Sequence, residues 1–145
     1  MNTVKKLLSL VIMMSILTCV SLPANAVTST LYVSAGSTAY STETSKTTKT
    51  RKTCHIALTF VQFSNYPQNS IPSGYYVYAA LCPYLSTSDA TDTAGFSMVS
   101  SSGYYYNYHS GQGGNDQRYR LKTYSNLNIY YSATFDWTAN GQAAS

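Results

Sequence analysis

Apolar and polar residues alternate along several stretches of this chain, and a period of two is what a strand with one buried face requires. The strongest such stretch runs from Lys52 to Phe63. Its apolar face is expected to carry Cys54, Ile56, Leu58 and Phe60. This pattern predicts a central strand with that face buried.

The same alternation recurs in the stretches Tyr75–Tyr84, Tyr119–Tyr124 and Tyr131–Trp137. Shorter strand patterns run from Gly95 to Ser100 and from Tyr104 to His109. Polar turns separate the stretches, and no helical period stands out after residue 26. The chain is therefore predicted to be all-β, an antiparallel β-sandwich of immunoglobulin-like type with about seven or eight strands. A small β-barrel is the alternative.

The last of these strand patterns also fixes the direction of individual side chains. Because successive residues of a strand face opposite sides, Phe135 and Trp137 are expected to point into the core. Asp136, which lies between them, is expected to point out.

The first 26 residues have the composition of a secretory signal peptide. Lys5 and Lys6 precede an apolar run from Leu7 to Val20, and Ala24-Asn25-Ala26 supplies a small-x-small cleavage pattern. The apolar run is shorter than the ~20 residues that span a bilayer. We therefore predict cleavage after Ala26, an extracellular (secreted) protein, and no membrane span in the mature chain. A lipoprotein signal at Cys19 is the alternative.

Cleavage would leave residues 27–145, which are predicted to form a single domain with a Ser/Thr-rich lead-in from Val27 to Thr53. Nine basic residues oppose five acidic ones in the whole chain, and two of the basic residues are Lys5 and Lys6 of the signal peptide. So small an excess of positive charge gives no electrostatic case for a nucleic-acid partner.

Two cysteines remain after cleavage, Cys54 and Cys82, and each lies on a strand pattern. In an exported protein such a pair is expected to oxidise, so the sequence predicts a disulfide between them.

Candidate catalytic groups are few. The chain has two histidines and five acidic residues, and no Gly-x-Ser-x-Gly motif precedes a helix pattern. A His109–Asp116 pair across a Gly-rich hairpin tip is one candidate. Asp89 and Asp92 in a shared loop fall short of a calcium cage and are interpreted as ordinary turn residues. We predict no enzyme activity, no catalytic residues, no metal and no cofactor.

Tyrosine is the abundant residue type: the chain has fifteen tyrosines, all of them after residue 26. They are densest between Tyr104 and His109, where exposed rings could stack on a sugar or a protein at low entropic cost. The predicted binding residues are Tyr104, Tyr105, Tyr106, Asn107, Tyr108, His109 and Arg118, with Tyr119 or Tyr124 extending the surface. The expected function is a secreted binding or adhesion module whose partner is a cell-surface glycan or protein. A bacteriocin-like or toxin-like effector is the alternative.

Overall fold

The computed structural model describes residues 25–142, and within this range the chain forms nine β-strands and no helix. The strands are β1 (Val27–Val33), β2 (Ala39–Tyr40), β3 (Ser45–Lys46), β4 (Thr53–Phe63), β5 (Val77–Pro83), β6 (Ala94–Phe96), β7 (Tyr104–Asn107), β8 (Arg118–Ser125) and β9 (Tyr131–Thr138). The all-β prediction is confirmed. Residues 1–24 of the predicted signal peptide, including Cys19, lie outside the described range.

The strands form two antiparallel sheets. Sheet A has the order β1-β9-β4-β7, and sheet B has the order β2-β8-β5-β6 with β3 also paired to β8. If the chain is folded back at the connection 84–93, β5 pairs with β6, β4 with β7, both β3 and β2 with β8, and β1 with β9. A long hairpin rolled up in this way is a jelly roll.

This order differs from the immunoglobulin order, in which the first and second strands are neighbours in one sheet. Here the first strand pairs with the last, along the whole length from Val27 to Val33. Each sheet also keeps two edge positions, so the described strands do not close into a small barrel.

The core lies between the sheets and follows the alternation of the strands. In β9, Tyr131, Ala133, Phe135 and Trp137 are buried, while Asp136 is hydrogen-bonded on the outer face by the Thr28 hydroxyl at 2.6 Å. The expected directions of Phe135, Trp137 and Asp136 are confirmed. Trp137 is fully buried, and its Nε1 donates to Ser29 Oγ at 2.9 Å.

A register shift in β4 corrects the prediction for Phe60. Leu58 pairs with Phe135, but Phe60 pairs with Thr134, so one residue is skipped between them. Such a bulge exchanges the faces of the residues that follow it. Val61 and Phe63 therefore enter the core, and Phe60 leaves the face of Leu58 and is only half-buried.

The predicted disulfide is wrong: Cys54 and Cys82 are both free and both buried. Cys54 belongs to the core cluster between the sheets, whereas Cys82 lies on the opposite face of β5 from Leu81. Its Sγ is 3.6 Å from Asp89 Oδ1, in the loop that covers the outside of sheet B. The two thiols are therefore on different sides of sheet B and cannot meet.

Burial also makes both thiols weak acids. Loss of hydration raises the pKa of the Cys54 thiol to about 12. Burial, followed by the negative charge of Asp89, raises the pKa of the Cys82 thiol to about 11.

Candidate functional site

The predicted tyrosine cluster lies on β7, an edge strand of sheet A that pairs with β4. Neighbouring tyrosines face opposite sides of this strand. The Tyr105 ring contacts His55 edge-on at 5.2 Å, whereas Tyr106 contacts Phe96 of the other sheet at 6.5 Å. The run therefore does not present one continuous aromatic surface.

Two tyrosines of the run serve the core. Tyr106 is half-buried, and burial raises its pKa to about 12. Tyr108 packs on Tyr119 at 5.1 Å, donates its hydroxyl hydrogen to the Ala139 carbonyl at 2.9 Å, and has a pKa that burial raises far above the usual range. These two rings are occupied by packing, which leaves Tyr104 and Tyr105 exposed.

The polar residues of the predicted cluster are held by one aspartate. Asn107 Nδ2 donates to Asp92 Oδ2 at 3.3 Å, and His109 Nε2 lies 3.4 Å from Asp92 Oδ1. Asp116 pairs with Lys46 at 2.6 Å, so the candidate His109–Asp116 pair does not form.

The two loop aspartates also have separate partners, since Asp89 binds Lys122 rather than sharing a site with Asp92. In the described range no three His, Cys, Asp or Glu side chains are grouped so that they could hold a metal ion.

Arg118 lies on the other sheet, at the start of β8, with its guanidinium carbon 5.4 Å from the centre of the Tyr84 ring. Tyr119, expected as an extension of the surface, is fully buried. The predicted binding residues are thus divided between two sheets, and the structure does not bring Arg118 to the tyrosines of β7.

Sheet B carries a second group of tyrosines on its outer face. Tyr78 and Tyr124 are stacked at 5.0 Å with an interplanar angle of 22°, and Tyr76 follows at 5.9 Å from Tyr78. Tyr78 thus has a ring neighbour in both Tyr76 and Tyr124, and Lys122 Nζ lies 5.6 Å from the centre of the Tyr124 ring. Tyr124 therefore belongs to a self-packed stripe and not to the β7 cluster.

The most exposed tyrosine lies elsewhere, beside a cleft at one end of sheet A. Tyr32 is 82% exposed and Tyr130 is 63% exposed. Between them lies a cavity of about 480 Å³. We call this the Tyr32 cleft; it is lined by Tyr32, Val33, Ser34, Gln62, Phe63, Ser64, Asn65, Tyr130, Tyr131 and Ser132, none of them charged.

The register of three strands builds this cleft. Ser132 of β9 pairs with Tyr32 of β1 on one side and with Gln62 of β4 on the other, which sets the three side chains in a row on the outer face. Below them, Tyr131 packs on Phe63 at 5.0 Å inside the core. Burial raises the pKa of Tyr131 to about 12. The cleft therefore has an apolar base of buried side chains and a polar rim.

The Gln62 amide is oriented by its neighbours. Its Nε2 donates to the Phe63 carbonyl at 3.0 Å and to the Tyr66 carbonyl at 2.7 Å. Since both amide hydrogens are used, the side chain offers a ligand its oxygen, which accepts hydrogen bonds. Asn65 has a positive φ of 68°, a conformation that asparagine tolerates, and this turns the loop at the edge of the cleft.

Sequence reasoning missed this cleft because Tyr32 and Tyr130 lie outside the tyrosine-rich run and are 98 positions apart in the chain. A signal was present in the alternation of Leu31, Tyr32 and Val33. Leu31 and Val33 are buried, so the tyrosine between them had to face solvent.

Comparison with protein-family models, with curated proteins and with solved structures finds no match for this chain. Along residues 25–142 there is also no helix of the length and apolarity that crossing a bilayer requires.

Proposed function

We propose that this protein is a non-catalytic binding module that recognises a neutral glycan in the Tyr32 cleft. One observation carries the proposal: two strongly exposed tyrosines flank a cavity whose lining contains hydroxyl and amide groups but no charge. Its volume of about 480 Å³ falls within the range of ~300–1,000 Å³ that is usual for small-molecule sites.

The chemistry of the lining fits a sugar. A pyranose presents an apolar C–H face that stacks on a phenol ring, and hydroxyls that exchange hydrogen bonds with amides and serines. The Gln62 oxygen and the nearby Ser132 and Asn65 side chains supply such partners around the two rings. A charged ligand would lose hydration here without gaining an opposite charge, which is costly.

The proposed class of function is the one expected from the sequence, but the proposed binding site is the Tyr32 cleft instead of the Tyr104–Tyr108 run. Secretion, cleavage after Ala26 and the lack of enzyme activity remain part of it as predictions from the sequence. Jelly rolls include lectin domains, but they also serve unrelated functions, so the proposal rests on the cleft and not on the fold.

Retention in gels containing a neutral polysaccharide (dextran, mannan or a β-glucan) tests the proposal. We expect at least one of them to retard the wild-type protein, and we expect Tyr32→Ala and Tyr130→Ala to abolish the retardation. Tyr104→Ala is the matched control, because Tyr104 is 61% exposed and lies outside the cleft. No retardation by any of the three, or loss with Tyr104→Ala alone, would contradict the proposal.

A further inference from the structure

A second cavity lies at the opposite end of the sandwich from the Tyr32 cleft. The cleft is at the start of β9, and the short connection 126–130 brings the end of β8 to that same end of the molecule. The second cavity is at the start of β8, beside the end of β5, and has a volume of about 410 Å³. It is lined by Pro83, Tyr84, Gln112, Gln117, Arg118 and Tyr119.

The two glutamine side chains of this cavity have their oxygens directed at the protein. Gln117 Oε1 accepts hydrogen bonds from the Gly114 amide at 2.9 Å and from the Tyr119 hydroxyl. Gln112 Oε1 faces the same hydroxyl at 3.5 Å. The Tyr119 hydroxyl has one hydrogen, which the shorter contact gives to Gln117, so the oxygen of Gln112 keeps no hydrogen bond from it. Both amides still have N–H groups to offer, and the cavity therefore contains hydrogen-bond donors.

Arg118 adds a positive charge beside these donors. The ion pairs found in the described range join Lys46 to Asp116, His109 to Asp92 and Lys122 to Asp89, so none of them neutralises Arg118. Its guanidinium lies near the Tyr84 ring instead, at 5.4 Å. Asp116, the acidic residue nearest to it in sequence, is held by Lys46 at 2.6 Å.

We infer that this second cavity binds the carboxylate of an acidic sugar such as a hexuronate. A guanidinium matches a carboxylate with two parallel N–H donors, and the glutamine amides supply further donors around it. Tyr84 is 46% exposed and, with Pro83, gives the sugar ring an apolar wall. The inference is independent of the neutral-glycan proposal, because it concerns other residues at the other end of the molecule.

Titration of the ¹⁵N-labelled protein with glucuronate, and separately with glucose, tests this inference. Glucuronate is expected to shift the backbone amides of Tyr84, Gln112, Gln117 and Arg118, and glucose is expected to leave them in place. Arg118→Gln should weaken glucuronate binding at least about tenfold, as the loss of a charge-assisted hydrogen bond does. Arg118→Lys should give an intermediate affinity, because the charge remains and the planar fork is lost.

Lys49→Gln is the matched control, since it removes the same charge from an exposed residue outside this cavity. Equal weakening by Lys49→Gln would show non-specific attraction and would overturn the inference. The inference would also be overturned if glucuronate caused no shifts at these residues, if glucose caused equal shifts, or if a Glu-containing peptide bound more tightly than glucuronate.

Because Arg118 is exposed, its variants should have the same melting temperature as the wild type. Arg118→Gln should also leave the retention by neutral polysaccharide unchanged. The inference about the second cavity and the proposal for the Tyr32 cleft can therefore be rejected independently.

Discussion

The Tyr104–Tyr108 run and the Tyr32 cleft use the same residue type for different purposes. In the run, Tyr106 and Tyr108 contact Phe96 and Tyr119, and their hydroxyls have raised pKa values because they are buried. In the cleft, Tyr32 and Tyr130 stay largely in solvent beside uncharged polar groups. The densest cluster in the sequence is thus partly core, and the most exposed tyrosine, Tyr32, lies outside it.

The difference shows that a tyrosine's role depends on what the neighbouring strand or loop places against it. A strand at the sheet edge can still have buried rings if the other sheet supplies a partner, as Phe96 does for Tyr106. A strand whose one face is fully packed leaves its other face in solvent. In β1, Leu31 and Val33 are buried on one face, so Tyr32 between them is exposed on the other.

Removal of a core aromatic should give the largest effect. Trp137→Ala is expected to lower the free energy of unfolding by ~3–5 kcal/mol, because it empties a fully buried site and leaves Ser29 Oγ without its donor. Tyr32→Ala should change stability by no more than ~0.5 kcal/mol. Urea denaturation of both variants measures the contrast, and equal losses would remove the distinction between core and surface rings.

A smaller effect should separate the members of the run. Tyr108→Phe leaves the Ala139 carbonyl without its 2.9 Å hydrogen bond and is expected to cost ~1–3 kcal/mol. Tyr105→Phe alters a half-exposed ring and should be close to neutral. If the two variants have the same denaturation midpoint as the wild type, Tyr108 is not a structural tyrosine.

Alkaline pH should weaken the fold through the buried tyrosines. Burial raises the pKa of Tyr106 and of Tyr131 to about 12, above the ordinary tyrosine value near ~10. The unfolded chain therefore loses these protons first, so their contribution is complete below pH ~10 and is lost as the pH rises through about 12. Absorbance titration at 295 nm should show a late phase that Tyr106→Phe reduces. A single phase near pH ~10 for the folded protein would argue against burial of these rings.

The reactivity of Cys54 and Cys82 should likewise depend on what packs against each thiol. Cys82 lies under a surface loop and Cys54 lies between the sheets, with pKa values of about 11 and about 12. Iodoacetamide at neutral pH should therefore modify both slowly in the folded protein, Cys82 before Cys54, and both rapidly in urea. The mass of the protein should be the same before and after treatment with a reductant. A gain of two hydrogens on reduction would show that the disulfide forms after all.

The sequence predicted the all-β class and the faces of the long strands, because alternation reports which side of a strand is buried. It placed Phe135 and Trp137 inward. It also predicted the Cys54–Cys82 disulfide, which the structure contradicts because Cys82 lies on the opposite face of β5 from Leu81. Alternation does not reveal which strands pair, so the jelly-roll order and the partner of β1 could not be read from it. The bulge at Phe60 is likewise set by pairing with β9.

The candidate site was harder to predict for the same reason. The Tyr32 cleft joins residues of β1, β4 and β9, and only the register through Ser132 brings them together. Clustering along the chain pointed instead to β7, whose cross-sheet contacts depend on Phe96 and Tyr119 in the opposite layer.

The most direct test of the neutral-glycan proposal is an NMR titration of protein carrying ¹³C-labelled tyrosine rings. An oligosaccharide cut from the polysaccharide that retards the protein is added, with ring signals assigned by single Tyr→Phe variants. We predict that the signals of Tyr32 and Tyr130 shift with a common dissociation constant while those of Tyr104 and Tyr105 stay in place. Shifts at Tyr104 and Tyr105 with Tyr32 unchanged would contradict the account and return the site to β7.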